Sequence, residues 1–320
     1  MEKIAVLIPC YNEKLTIKKV IDDFKNILPD SVIYVYDNNS VDESDKIARD
    51  AGAIVRYERK QGKGNVVRTM FREIDAECYV IVDADDTYSL DKVKEMCDYV
   101  LNDGYDMVIG DRLSSSYFAE NKRQFHGFGN TFVRYVINSF FNTDIKDIMT
   151  GFRCLSYNFV KTFPVLSKGF EIETEMTIHS VYHNMNIKNV TINYKDRIEE
   201  SPSKLDTIPD GIKVIKTIFK LYKNYKPFQF FLFLAILLVI LATIFFVPIL
   251  VEFKSTGLVP KIPTLIVCSF IYLSAILSLF TGLILSTIVE KDRRDFENHL
   301  INTESNRKLL DMMDNNISRH

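Results

Sequence analysis

Residues 78–86 read Cys-Tyr-Val-Ile-Val-Asp-Ala-Asp-Asp, an apolar run that ends in acidic residues. A short apolar run bounded by polar residues is typical of a strand that is buried on both faces of a parallel sheet. Asp83 and Asp85, where that strand ends, can hold a hard divalent cation that also takes the oxygens of a diphosphate. An Asp-x-Asp pair alone is a weak signal, because acidic turns are common on protein surfaces, so its meaning depends on its neighbours.

The segments on either side of this stretch alternate between strand-like and helix-like patterns. Strands are predicted at five places: Ile4–Cys10, Ser31–Asn38, Ile54–Glu58, Cys78–Asp83 and Asp106–Gly110. Helices are predicted between them: Leu15–Ile27, Asp42–Ala51, Val66–Ile74 and Leu90–Leu101. This alternation predicts an α/β fold with an open, mostly parallel sheet flanked by helices. In such a sheet, ligands bind outside the carboxyl ends of the strands.

Polar residues follow each predicted strand at that edge. They form five short segments: Pro9–Glu13, Asp37–Ser40, Gly62–Asn65, Asp83–Asp86 and Gly110–Arg112. The sequence contains neither a G-x-G-x-x-G fingerprint nor a Walker A loop, so a bound phosphate would be neutralised in another way. The convergence of these segments favours the metal interpretation of Asp83 and Asp85.

Five motifs in this order resemble glycosyltransferase family 2, and within it the polyprenyl-phosphate glycosyltransferases related to dolichol-phosphate mannose synthase. The motifs are Val6–Glu13, Tyr36–Asp42, Gly62–Asn65, Asp83–Asp85 and Asp147–Arg153. Together they are far more specific than any one of them, and the resemblance covers about residues 3–227. It implies a GT-A-like fold, as in nucleotide-diphospho-sugar transferases, and an inverting hexosyltransferase.

The resemblance also implies roles for individual residues. The nucleotide-sugar-binding residues would be Pro9, Tyr11, Glu13, Asp37, Lys63, Asp83, Ala84 and Arg112. The catalytic residues would be Asp85, Asp147, Arg197 and Lys204, and Glu173 is a further candidate from its position after Gly169-Phe170. Asp83 and Asp85 would bind Mg²⁺ or Mn²⁺ at the diphosphate, with Asp85 as the principal ligand, and Asp37 would accept hydrogen bonds from the base. Arg112, Arg197 and Lys204 would hold the donor diphosphate and the acceptor phosphate, since these cations bind phosphate oxygens well.

One position departs from the mannose synthases, which carry Gln two residues after the second Asp, where this chain has Thr87. The departure favours a UDP-sugar over GDP-mannose. The expected reaction therefore moves a hexose or N-acetylhexosamine from a UDP-sugar to polyprenyl (undecaprenyl) phosphate, as a step in cell envelope glycan biosynthesis.

Some of these residues also have a purely structural interpretation. Glu171, Glu173 and Glu175 could be the acidic first turns of a helix, which the helix dipole favours. Asp147 and Arg153 could form a buried ion pair that holds the Thr150–Gly151 turn.

Two C-terminal segments, Phe228–Val251 and Ile262–Val289, contain no charged residue and are long enough to cross a bilayer as helices. Their short connection predicts a hairpin; the alternative is a pair of buried helices in a soluble protein. Basic residues flank the hairpin on its outer sides: Lys213, Lys216, Lys220, Lys223, Lys226, Lys291, Arg293 and Arg294. The positive-inside rule then places the N-terminal part and the tail in the cytoplasm, on the plasma (inner) membrane.

The expected organisation has five parts: a catalytic domain (1–204), a juxtamembrane amphipathic helix (205–227), transmembrane helices (228–251 and 262–289) and a cytoplasmic polar tail (290–320). The juxtamembrane helix has a lysine stripe, which suits either a membrane interface or a helix packed on its own domain. The polar end of the tail, Asn298–His320, is expected to be a short helix or disordered.

Composition excludes some functions. The net charge of −2 over 320 residues argues against a protein whose main task is to neutralise nucleic-acid phosphates. The five cysteines include no C-x-x-C pair and are expected to be buried thiols in a reducing compartment.

The partners expected are therefore a nucleotide sugar, a polyprenyl phosphate and the lipid bilayer, with self-association left open. Two other functions remain open at this point. One is a family 2 transferase that acts on a glycan or a diacylglycerol, and the other is an inactive membrane scaffold. The presence of Asp83, Asp85, Arg112 and Arg197 together favours an enzyme.

Overall fold

A computed structural model describes residues 1–115, 134–135, 137–139, 141, 143–169, 171–195, 219, 222–259 and 261–317. The chain divides into two units, one formed by Met1–Ile218 with Phe296–His320 and the other by Phe219–Asp295.

The first unit contains a seven-stranded sheet in the order β3-β2-β1-β4-β6-β5-β7. The strands are β1 (Glu2–Cys10), β2 (Val32–Asp37), β3 (Ile54–Tyr57), β4 (Ala76–Ile81), β5 (Met107–Asp111), β6 (Arg153–Ser156) and β7 (Ile187–Thr191). Only β6 runs antiparallel to its neighbours among these strands, so the predicted mostly parallel sheet is confirmed.

Six described helices flank these strands: α1 (Ile17–Ile27), α2 (Ser44–Asp50), α3 (Lys63–Glu73), α4 (Val93–Leu101), α5 (Tyr157–Thr162) and α6 (Ile172–Tyr182). In α1, the buried residues Ile17, Val20, Ile21 and Phe24 recur at helical spacing and form one apolar face. Burial of each such side chain stabilises the fold by roughly 1.5–3 kcal/mol. The strands β1 and β4 read as continuous apolar runs because both lie in the middle of the sheet.

The strand order reverses between β1 and β4, and this topological switch point is where open α/β sheets bind ligands. The register pairs Cys10 with Asp37 and Leu7 with Ile81. The polar residues that follow β1, β2 and β4 therefore meet at one edge of the sheet.

The helix α3 begins earlier than predicted, at Lys63 rather than Val66. Gly62, which precedes it, has a φ of +125°, a backbone conformation that suits glycine. A Cβ at Gly62 would also overlap with the carbonyl oxygen of Lys168. The loop that holds Lys168 therefore packs against the start of α3, and Lys63 becomes the first residue of the helix.

The second unit contains the helix α7 (Pro227–Thr256) and the first part of the helix α8 (Ile262–Ile317), up to Asp295. Both helices are long and apolar enough to cross a membrane, and only 11% and 17% of their most apolar windows are buried. Helices in the core of a soluble protein would be mostly buried. Small residues recur every seven positions on the buried sides, at Ala235 and Ala242 in α7 and at Cys268 and Ala275 in α8, which is the spacing of two helices packed side by side.

The polar tail is helical to Ile317, and it continues the second apolar helix instead of forming a separate short helix or a disordered segment. No glycine or proline follows Gly282, so nothing in the sequence stops the helix. Residues from Phe296 onward belong to the first unit. There the Phe296 ring stacks on His183 at 3.6 Å, and Arg307 pairs with Glu77 at 3.3 Å. Most of the predicted juxtamembrane helix (205–227) lies outside the described residues.

Candidate active site at the carboxyl edge of the sheet

Three charged side chains from separate elements meet at the end of β4. The Lys63 ammonium lies 2.5 Å from Asp83 Oδ1 and 2.6 Å from Glu173 Oε1. Burial opposes the charged form of Lys63, but Asp83 and Glu173 together raise its pKa above the ordinary value. Burial raises the pKa of Glu173, while Lys63 acts in the opposite direction. The sequence indicated Lys63 and Glu173 separately, and the fold brings them together.

The second oxygen of Asp83 faces Tyr88 and Gly151. The Tyr88 hydroxyl donates to Asp83 Oδ2 at 3.5 Å and accepts a hydrogen bond from the Gly151 N–H at 2.9 Å. A Cβ at Gly151 would overlap with Asp83 Oδ2 and would lie 2.9 Å from Lys63 Nζ. Glycine is therefore required for this close approach. Tyr88 was not among the predicted site residues, since a single tyrosine after an acidic turn gives no sequence signal.

Asp85 is oriented by Thr87, the position at which this chain departs from the mannose synthases. Asp85 Oδ1 accepts hydrogen bonds from the Thr87 hydroxyl at 2.7 Å and from the Thr87 N–H at 3.2 Å. Both residues are buried. A short side chain at position 87 thus fixes the carboxylate within its own turn.

The following carboxylate, Asp86, points to different partners. It accepts from Lys19 at 2.9 Å and from Lys195 at 2.8 Å. Asp86 has a φ of +56°, in the left-handed region that is uncommon for residues other than glycine. This backbone turn separates Asp85 from Asp86 and directs them differently.

Asp37, at the end of β2, has one oxygen without a partner. Its Oδ2 accepts a hydrogen bond from the Ser40 N–H at 3.0 Å. Asp37 is only 4% exposed, and its buried Oδ1 has no hydrogen-bond partner among the described residues. A buried carboxylate oxygen that lacks a donor is costly, so this atom can accept a hydrogen bond from a ligand.

The residues after β1 surround the same edge. Pro9 and Cys10 are the last residues of that strand, and the Asn12 and Glu13 N–H groups donate to Ser40 and Ser44, each at 2.9 Å. Asn12 has a φ of +52°, so this loop also contains left-handed backbone. Tyr11 is 39% exposed beside it and can contact a ligand with its ring.

Arg112 is held by Asp147 and two tyrosines. Its Nε and Nη2 donate to the two oxygens of Asp147 at 2.7 and 3.1 Å, and Asp147 is fully buried. The ring centres of Tyr88 and Tyr194 lie 5.8 and 5.4 Å from the guanidinium carbon of Arg112. These distances are within the range of cation–π contact. The fork that was predicted to hold phosphate is thus directed to a carboxylate in this structure.

The suggested pairing of Asp147 with Arg153 is corrected accordingly. Arg153 is fully buried and donates to the Thr150 and Ile148 carbonyl oxygens and to the Thr177 hydroxyl, at 3.1, 2.6 and 2.9 Å. Burial lowers the pKa of Arg153 to about 10. The two arginines have separate tasks: Arg153 holds the turn before β6, and Arg112 neutralises Asp147.

The acidic residues of α6 also separate. Glu175 accepts from the Leu166 and Ser167 N–H groups at 3.3 and 2.9 Å and so holds the loop before the helix, whereas Glu173 faces Lys63. The sequence alone allows these glutamates to be interpreted as the acidic first turns of a helix. That interpretation alone does not account for the two different sets of partners.

Arg197 and Lys204 lie outside the described residues. The segment that leads to them is described and pairs with the turn after Asp85. The Lys195 N–H donates to the Thr87 carbonyl at 2.9 Å, and Tyr88 and Tyr194 form an antiparallel bridge.

Asp83 and Asp85 fit a divalent cation by the chemistry of their donor atoms. Carboxylate oxygens are the ligands that Mg²⁺ and Mn²⁺ prefer. Thr87 already orients Asp85, and the Lys63 ammonium occupies a cation position at Asp83.

The thiols of Cys78, Cys97 and Cys154 form a separate buried group, in which the sulfur atoms lie within 4.8 Å of one another. All five cysteines are buried and free, as predicted.

Comparison with known proteins supports this assignment of the fold. Residues 5–163 match the family model of glycosyl transferase family 2. Glycosyltransferase AglJ of Haloferax volcanii is 32% identical over 211 residues, which are 66% of this chain and 69% of that protein. A dolichyl-phosphate hexose transferase of the same organism is 29% identical over 216 residues, which are 68% of this chain and 92% of that protein.

Solved structures show the same architecture. Glucosyl-3-phosphoglycerate synthase from Mycobacterium tuberculosis, in a complex with Mn²⁺, uridine-diphosphate and glucosyl-3-phosphoglycerate, has a TM-score of 0.55 and 18% sequence identity. The likeness covers 69% of this chain and 80% of that chain. At this identity it shows the fold alone, and it confirms the predicted GT-A-like sheet.

Proposed function

The chain belongs to glycosyl transferase family 2 and is a glycosyltransferase, and we propose from this premise that it transfers a sugar from a nucleotide sugar to a polyprenyl phosphate. The observation that carries the proposal is the meeting of Asp37, Asp83 and Asp85 at the switch point of the sheet, with an unsatisfied oxygen on Asp37. The donor favoured is a UDP-sugar, and the group moved is a hexose or N-acetylhexosamine.

Asp37 would receive the nucleotide base, because its buried Oδ1 needs a hydrogen-bond donor. Pro9, Tyr11 and Glu13 would complete the pocket, with Ala84 between the two metal-binding aspartates. Asp83 and Asp85 would hold Mg²⁺ or Mn²⁺, which when bound offsets the charge of the departing diphosphate. Lys63 adds a positive charge beside Asp83.

The acceptor needs no strong general base. A phosphate monoester has its second pKa near roughly 6, so it is largely a dianion at neutral pH. One of its oxygens would attack the anomeric carbon as the bond from that carbon to the donor phosphate breaks. The products would be an inverted sugar phosphate ester of the lipid and a nucleoside diphosphate.

The main demand on the protein is electrostatic, because two anions must approach each other. Arg197 and Lys204 would bind the acceptor phosphate. Asp147 and Arg112 form a neutral pair at the same edge, and we propose that they shape the acceptor side of the site rather than bind phosphate in this arrangement.

The two apolar helices support a lipid acceptor, because a catalytic edge anchored at a bilayer meets lipid headgroups continuously. The named activity of the Haloferax relative, a dolichyl-phosphate hexose transferase, agrees with this class of acceptor. The basic residues that flank the hairpin support a cytoplasmic position for the catalytic domain and the tail, at the plasma membrane.

The experiment that tests this function supplies the purified protein with undecaprenyl phosphate, Mn²⁺ or Mg²⁺, and a panel of UDP- and GDP-sugars. The expected result is an acid-labile sugar–lipid, detected by mass spectrometry, from a UDP-sugar. Absence of any sugar–lipid product, together with transfer to a glycan or to diacylglycerol in isolated membranes, would contradict the proposed acceptor.

A further inference from the structure

The Asp83–Lys63–Glu173 bridge joins three elements that are far apart in the sequence. Lys63 is the first residue of α3, Asp83 follows β4, and Glu173 lies in the first turn of α6. A single ammonium group, at 2.5 and 2.6 Å from the two carboxylates, links them. These are short, charge-assisted contacts, which are the stronger class of hydrogen bond.

The three side chains differ in their access to solvent. Asp83 is 26% exposed, Lys63 is 9% exposed and Glu173 is 6% exposed. Solvent, and hence a donor substrate, therefore reaches the bridge from the Asp83 side. Glu173 is the least exposed of the three side chains.

We propose that Glu173 is a positioning residue that holds the Lys63 ammonium in the site, so that Lys63 can neutralise the diphosphate of the donor. This inference rests on the proposed function in taking the donor to be a nucleoside diphosphate sugar. It assigns Glu173 neither to the attack on the sugar nor to the metal.

The need for a second carboxylate follows from what Asp83 must do. Asp83 cannot give the same oxygen fully to Lys63 and to a divalent cation. If Asp83 bound a divalent cation, Lys63 would lose one of the two carboxylates that pair with it, and a buried charge with fewer partners is costly. Glu173 keeps the ammonium paired and near the diphosphate, and the flexible lysine stem allows the remaining donors to reach a phosphate oxygen.

A role for Glu173 as general base fits the geometry less well. Its Oε1 accepts from Lys63, and its side chain is almost fully enclosed. The acceptor phosphate has no proton that must be removed at neutral pH. The carboxylate therefore acts through Lys63.

A double-mutant cycle tests this coupling directly. The full chain and the variants Lys63→Met, Glu173→Gln and the double variant are titrated with UDP in the presence of Mn²⁺ by isothermal titration calorimetry. Each single variant is expected to weaken UDP binding by roughly 10-fold, the size of one charge-assisted hydrogen bond. The double variant should bind no more weakly than Lys63→Met, because Glu173 has nothing to hold once Lys63 is gone.

Glu175→Gln is the matched control. Glu175 is a buried glutamate on the same helix, two residues away, that holds the Leu166–Ser167 loop instead of Lys63. Its coupling to Lys63→Met should be clearly smaller than that of Glu173→Gln, because Glu175 reaches Lys63 only through the loop that packs against the start of α3. Equal coupling in both cycles would show that the effect comes from helix packing and would overturn the proposal.

Kinetics provide a second readout. Glu173→Gln should raise the KM for the nucleotide sugar by roughly 10-fold, with a smaller change in kcat, because it removes binding of the diphosphate. A loss of kcat by more than about 10³-fold with unchanged UDP affinity would instead identify Glu173 as a group that acts on the reacting atoms, and would overturn the proposal.

The same set of variants also shows whether a loss of UDP binding comes from misfolding. Lys63→Met leaves two carboxylates facing each other in a buried site, and the double variant removes one of those charges. Lys63→Arg keeps the positive charge and should retain most of the UDP affinity. Because the titration needs no acceptor, a wild-type protein that binds UDP but forms no sugar–lipid would contradict the proposed function while the cycle still decides the role of Glu173.

Discussion

At the scale of single residues, the neighbours Asp85 and Asp86 have identical side chains and different surroundings. Asp85 is enclosed and oriented by Thr87. Asp86 pairs with the exposed lysines Lys19 and Lys195. The Asp86 side chain is 11% exposed, but both lysines are about half exposed to solvent, which screens their charge. Asp86 also lies outside the proposed metal site, so the two positions should respond differently to the same substitution.

Asp85→Asn should lower kcat/KM by roughly 10²–10³-fold or more, because it removes a charge where the diphosphate would leave. The thermal midpoint should change little, since Asn can still accept the hydrogen bonds from Thr87. Asp86→Asn is the control and should stay within a few-fold of the wild type. Sugar–lipid formation measures both, and full activity in Asp85→Asn would contradict the assigned role.

Gly151→Ala tests how tightly the site is built. The added Cβ would overlap with Asp83 Oδ2 and press on Lys63 Nζ. A displacement of about 1 Å at a reacting site typically costs roughly 10²-fold in rate, and this is the expected loss in kcat/KM. Circular dichroism should show a folded protein, and an active, folded Gly151→Ala enzyme would show that the Asp83–Gly151 contact is dispensable.

Residue types and spacing identified most of the residues at this edge but not their partners. Asp83, Asp85 and Asp37 were predicted from their positions after strands, and they lie where those strands end. The partner of Arg112 was not predictable, because Asp147 lies 35 residues away along the chain and only the fold brings it near. The structure reveals Tyr88 for the same reason, because its hydroxyl accepts from the N–H of Gly151, 63 residues away.

At the scale of elements, α6 packs one face on the active site and another on the end of α8. Glu173 faces Lys63, whereas His179 is buried among Phe159, Phe163, Phe296 and His183. Burial lowers the pKa of His179 to about 3, and His183 acts in the same direction. The tail helix is therefore held by aromatic contacts around a neutral histidine.

The stability of this contact should depend on pH. The unfolded chain protonates His179 near its ordinary value of 6.5, whereas the folded protein does so near 3. Stability is thus complete above about pH 6.5 and falls as the pH drops toward 3, by about 2 kcal/mol at pH 5 from this group. Urea midpoints between pH 7.5 and 5 measure the slope.

His179→Leu should flatten that slope, because it removes the group that the unfolded state protonates. The exposed His299 provides the control, and His299→Gln should keep the pH dependence of the wild type. An unchanged slope in His179→Leu would show that other groups determine the loss of stability in acid.

At the scale of the whole molecule, the balanced composition conceals a strong segregation. The charged and polar residues belong mostly to the sheet domain and the end of α8, and the uncharged segments form the two long helices of the second unit. This segregation suits the proposed reaction, in which one substrate comes from water and the other from a lipid bilayer.

The proposed sidedness can be checked by cysteine labelling, because all five native cysteines are buried. Leu258→Cys places an exposed thiol in the connection between α7 and α8, and Ser305→Cys places one in the tail. A membrane-impermeant maleimide should label Leu258→Cys in intact cells and Ser305→Cys only after permeabilisation. The reverse pattern would contradict a cytoplasmic catalytic domain.

The sequence by itself determined the fold class, the apolar helices and the acidic residues at the ends of the strands. These features depend on local periodicity and on which residues follow a strand, and both can be read along the chain. Only the tertiary structure decided the pairings: Lys63 with Asp83 and Glu173, Arg112 with Asp147, and the tail helix with α6. The physical reason is that these partners lie far apart in the chain, and charge and ring contacts depend on distances that only folding sets.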